Sequence, residues 1–125
     1  QHPGSRAGSR SNTMAPKIID HPLYKLLREG RVKEFNRRRA AGETCDLRGS
    51  DLRGLDLREL DASGLDLRHS YLRQADLRGL DFSPALLDGA SINGAKISGT
   101  YFPHQLSAEE INLSLVHGTR MRCRS

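Results

Sequence analysis

Residues 45–104 repeat every five positions without interruption. In fives they read CDLRG, SDLRG, LDLRE, LDASG, LDLRH, SYLRQ, ADLRG, LDFSP, ALLDG, ASING, AKISG and TYFPH. The third position is large and apolar in eleven of the twelve units, and Ala62 is the exception. The first position is small or apolar from Cys45 to Thr100. The second is Asp in seven units, the fourth Arg in six and the fifth Gly in seven.

A period of five excludes an amphipathic helix. Five residues advance an α-helix by about 500°, so the leucines would scatter around it. A plain strand fails as well, because side chains alternate with period two and five is odd. A short extended piece followed by a corner satisfies the pattern. Positions one and three then face inward, two and four face outward, and glycine suits the turn at five. No unit buries its inner face alone, so the units must stack as a solenoid.

The units resemble the pentapeptide-repeat family, whose repeat reads roughly A-(D/N)-L-x-x, over 60 of the 125 residues. The resemblance implies an all-β solenoid, a right-handed quadrilateral β-helix with four units per coil. Twelve units then make about three coils, and the shaft is roughly 15 Å long. Residues n, n+20 and n+40 should stack. The inner columns become Leu47/Leu67/Leu87, Leu52/Leu72/Ile92, Leu57/Leu77/Ile97 and Ala62/Phe82/Phe102. Leu72 falls in the middle coil and should be fully buried. Ala62 leaves the first coil narrow unless a cap side chain fills it. Asp and Arg columns, such as Asp46/Asp66 beside Arg48/Arg68, should pair laterally outside.

The flanks read as caps. Residues 14–44 form an N-terminal helical cap: Pro22 suits a first helical turn, Leu23, Leu26 and Leu27 have helical spacing, and Gly30 ends that helix. Val32 and Phe35 suggest a second short helix, ending near Gly42. Residues 105–125 form a C-terminal capping helix and tail. Ser107 and Glu110 make a capping box, and the helix should run near 108–117 and stop at Gly118. Ala108, Ile111 and Leu115 form one apolar stripe, and Leu113 and Val116 another. Residues 1–13 lack apolar periodicity and read as an expression leader or disordered arm, the alternative being a native basic arm.

Composition limits the function classes. No run of 18 apolar residues is present, so no membrane span is expected, and no secretory core opens the chain. Two cysteines are too few for a disulfide scaffold, so a reduced cytoplasmic protein is expected. The family resemblance implies a bacterial host. The net charge of +5 sits at the ends: residues 45–104 carry −2 and residues 14–40 carry +5.

The residues that could do chemistry have structural explanations. The aspartates follow the repeat. His69 and His104 fall at corners and His21 and His117 at helix ends, without metal-ligand spacing. Cys45 faces inward as a buried filler, and Cys123 lies in a frayed tail. With side chains filling the inside, a pocket of a few hundred Å³ is hard to build, so neither an enzyme nor a cofactor is expected. Three readings remain. The first is a non-catalytic protein–protein interaction module. Its candidate interface is Leu86 and Tyr101 on the weakly charged third coil, with Leu113 and Val116 on the last helix. Family members often form end-to-end dimers through such helices, which implies a homodimer here. The second is the DNA-mimic, topoisomerase-modulating role of some family members, which the arginines at position four oppose. The third is nucleic-acid binding through the basic N-terminal cap, with Arg37, Arg38 and Arg39 as phosphate contacts.

Overall fold

A computed structural model describes residues 15–124, so the leader assigned to 1–13 lies outside the described residues. Each five-residue unit lays down one short extended step and one turn. The fifth residue takes a left-handed conformation in every unit from Gly49 to Gly99 except the one ending in Pro84. Proline cannot adopt that φ, and Glu59, His69 and Gln74 adopt it despite their side chains.

Residues twenty apart pair in parallel. Asp51, Tyr71 and Ser91 occupy three successive levels, as do Asp56, Asp76 and Lys96. The register recurs at each level: Leu72 N–H donates to the Ser91 carbonyl at 2.8 Å, and Ser91 N–H donates back to Ser70 at 3.1 Å. Four units thus complete one circuit, giving four side faces. Face one holds 45–49, face two 50–54, face three 55–59 and face four 60–64, each continuing at +20 and +40.

The β structure is sparser than the resemblance implies. The pairings among the described residues are isolated bridges and not continuous strands. A corner every five residues leaves too short an extended piece to sustain a ladder.

Inside, Leu47, Leu52, Leu57, Leu67, Leu72, Leu77, Phe82, Leu87 and Ile92 are fully buried. First-position side chains from Ser50 to Ala90 are buried beside them. Outside, each Asp–Arg pair closes within one unit. In the first, Arg48 donates to Asp46 through Nε and a terminal nitrogen, both at 2.9 Å, and its backbone N–H adds a third bond at 3.1 Å. The same clamp recurs at 51/53, 56/58, 66/68 and 76/78. Among the described residues one repeat ion pair joins two levels, Arg58 Nε to Asp76 at 3.5 Å.

These clamps favour ionised carboxylates. The hydrogen bonds from Arg48 hold Asp46 down at about 2, and Asp51, Asp56, Asp66 and Asp76 are lowered first by their own arginines. A carboxylate whose folded value is depressed adds stability above its unfolded value of about 3.9, and that stability is lost as pH falls through the folded value. The melting temperature should therefore stay level from about pH 7 to 5 and drop between about pH 4 and 2. A melting temperature unchanged at about pH 2 would show that the clamps contribute nothing.

At the amino end, α1 (Pro22–Arg28) and α2 (Val32–Ala40) lie on the first coil. His21 Nδ1 accepts from Leu23 N–H at 3.1 Å and starts α1 behind Pro22. Side chains supply the bonds that a further coil would make. Tyr24 Oη donates to the Asp51 carbonyl at 2.7 Å. Asn36 bonds both the Glu59 carbonyl, at 2.8 Å, and Asp61 N–H, at 2.9 Å. Arg39 donates to the Asp61 and Ser63 carbonyls at 2.9 and 2.8 Å. These bonds set α2 across Ala62, and the wholly buried Phe35 lies on the same helix. Lys17 adds one further rung, its N–H to Gly49 and its carbonyl to Asp51, both at 2.9 Å.

Candidate functional site

The carboxyl end of the shaft is only half covered. Ser107 Oγ caps α3 (Ala108–His117) by accepting from Glu110 N–H at 3.1 Å, and Gly118 ends it at φ 76°. Glu110 does not return the bond: its carboxylate accepts from Arg122 N–H at 3.0 Å. α3 seats on face two. Ser114 Oγ accepts from Ile92 N–H at 3.0 Å, and the Leu115 carbonyl accepts from Gly94 N–H at 3.1 Å. Of the stripe Ala108, Ile111 and Leu115, the last two pack against the core. Ala108 is exposed, Ile111 and Leu115 are half-buried, and the buried residue of α3 is Ser114, because a hydroxyl can pair the open backbone.

The tail after α3 is not frayed. Met121 pairs between Gly89 and Ala90, at 2.6 and 2.8 Å, and its side chain is fully buried. Cys123 N–H donates to Asp88 at 2.8 Å, and Arg124 reaches Gln105 and His104. Gly89, at φ +80°, is buried under this strap, and a Cβ there would run into the His69 ring. Nothing in HGTRMRCRS marks Met121 as a plug, so the repeat logic misses it.

Faces three and four lie outside this cover. Ala95, Ile97 and Phe102 are half-buried, whereas their counterparts one and two levels earlier are buried. Among the described residues, the N–H groups of Ile97 and Gly99 make no hydrogen bond. The Phe102 ring packs on Phe82 with centroids 6.3 Å apart. Around this end stand the four candidate interface residues, with Leu86 53%, Tyr101 69%, Leu113 37% and Val116 57% exposed. Tyr101 borders the open half directly, and Leu113 and Val116 line the outer side of α3.

The three arginines of α2 are engaged locally. Arg37 pairs with Glu34, Arg38 grips Glu43 with bonds of 2.7 and 2.8 Å, and Arg39 stacks over Phe35 at 5.8 Å besides its two carbonyls. The expectation of no sizeable pocket is corrected. A groove of about 910 Å³ runs between the start of α2 and the corner at Glu59 and Gly79, with Arg31, Lys33, Arg58 and Asp81 on its walls. It forms because α2 spans the corner without filling it. Cys45 is half-exposed, since no coil precedes its unit. Burial raises both thiols, with Asp88 adding to the rise at Cys123, so neither is an activated nucleophile. No cluster of His, Cys, Asp or Glu among the described residues could hold a metal, and no helix among them is long and apolar enough to cross a membrane.

The twenty-residue register makes a sequence comparison decisive. The family model for pentapeptide repeats matches in eight copies, over residues 44–74 and 66–102. The chain is a pentapeptide-repeat protein. The family's repeats build β-solenoids and suggest a protein-interaction module more than a catalyst. No curated protein and no solved structure matches this pentapeptide-repeat chain.

Proposed function

We propose that this protein is a non-catalytic interaction module whose three-coil shaft holds an adhesive carboxyl-terminal end, and that the occupant of that end is a second copy of the chain. The half-covered end supports this reading most. α3 occupies one half, and the other half presents Ala95, Ile97, Phe102 and Tyr101 with unpaired N–H groups at 97 and 99. A two-fold axis through the end lays the Leu113/Val116 stripe of each copy over the open half of the other. Such an interface is self-complementary, as a closed dimer requires. Charge does not oppose it, because residues 85–104 carry only Asp88 and Lys96. The DNA-mimic reading gains little, since five aspartates that could imitate phosphates are closed on arginines.

Amide hydrogen exchange at two protein concentrations tests the docking site. Exchange at 97–101 and 113–116 should slow as concentration rises, with the amino-terminal helices unchanged. Concentration-independent exchange at these positions would overturn the reading.

A further inference from the structure

The four side faces differ in charge, and face two stands apart. On faces one and three the aspartates Asp46, Asp66, Asp56 and Asp76 each accept two hydrogen bonds from the side chain of an arginine of the same unit. On face four, Asp61 and Asp81 bond serines, and the units carry no arginine. On face two the second position runs Asp51, Tyr71, Ser91, while the fourth keeps Arg53 and Arg73. Asp51 is consumed by Arg53, its side chain only 10% exposed. Arg73 has no acidic partner among the described residues, because Tyr71 stands where the repeat places Asp. It lies across Gly118 at the carbonyl end of α3.

The caps add to the same face. Arg28 reaches the Asp51 and Arg53 carbonyls at 3.4 Å from above. Lys17 forms the rung over Gly49 and Asp51, and its side chain runs over Gly49 at the corner with face one. Arg120 donates to the Gly89 carbonyl at 3.1 Å and the Tyr71 hydroxyl at 2.6 Å, and stacks over the Tyr71 ring. The partners of Arg120 are neutral, so its charge is not cancelled, whereas Arg28 lies near Asp51 and Lys17 near Asp46. On the adjoining face, Asp88 accepts from Cys123 N–H. Arg28, Arg73 and Arg120, with the paired Arg53 between them and Lys17 at the corner with face one, form a basic strip over about three rungs, roughly 14 Å.

We propose that this strip binds the phosphodiester backbone of a nucleic acid. A peptide gains affinity from main-chain pairing or from apolar pockets. Face two offers neither: Lys17 pairs its upper edge, Ser114 and Leu115 pair its lower edge, and Arg120 covers its one ring. A polyanion needs only the charges, and releases counterions when it meets them.

Fluorescence anisotropy of the full chain with a labelled oligo-dT of about twenty nucleotides tests this, from about 50 to 200 mM salt. Affinity should fall steeply with salt. Lys17→Gln with Arg73→Gln should flatten the log–log salt slope by about 1.4, two phosphates' worth on a single strand. Both side chains are exposed, so the variant keeps its fold, which circular dichroism checks. Arg37→Gln with Arg38→Gln should leave the slope unchanged. Three results would overturn the proposal: undetectable or salt-insensitive binding at about 50 mM salt, loss of binding through Arg37 and Arg38 instead, or polyglutamate competing as well as the oligonucleotide. The last would assign the strip to an acidic protein.

Discussion

Replacing Leu72 by alanine is expected to cost about 2–5 kcal/mol of unfolding free energy. Leu72 is fully buried at the third position of a middle-coil unit, between Leu52 above and Ile92 below. Neither neighbour can close the gap, because each is held by its own rung of hydrogen bonds. The cavity therefore persists and adds to the lost transfer energy. Leu86→Ala is the matched control. Leu86 holds a second position and is 53% exposed, so its loss should change stability by less than about 0.5 kcal/mol. Urea denaturation of both variants reads the inward register. Equal costs at the two positions would mean the register is misassigned.

Phe35→Ala is expected to cost about 3–5 kcal/mol. The helix carrying Phe35 also carries Asn36 and Arg39, which bond the backbone at 59, 61 and 63. Losing the wholly buried ring leaves a cavity under α2 and loosens those bonds together. The same denaturation reads this variant. A cost near zero would mean that the first coil does not depend on α2.

Much of this architecture is legible in the sequence because the repeat is regular. One position in five names each inward residue, and Ala62 even marks where the cap must bring a large side chain. Pro22, Ser107 and Gly118 mark helix ends by local chemistry, which needs no tertiary knowledge. The caps' bonding is not legible. Asn36, Lys17 and Met121 act as substitute rungs, and each looks like an ordinary residue until the backbone edge it pairs with is in place. The basic strip is half legible. SYLRQ shows an arginine without its aspartate, but only the fold brings Arg28 and Arg120 to the same face and Lys17 to its corner. The three consecutive arginines of α2, by contrast, draw attention as a phosphate patch and are occupied by Glu34, Glu43 and two carbonyls.

The most direct test of the account is solution mass by light scattering on the full chain at micromolar concentration, with Leu113→Ser/Val116→Ser measured alongside. Both side chains are exposed, so the variant should fold as the parent does. A dimeric parent and a monomeric variant are the expected pair. A parent that stays monomeric, or a variant that stays dimeric, would contradict self-association through the half-open end.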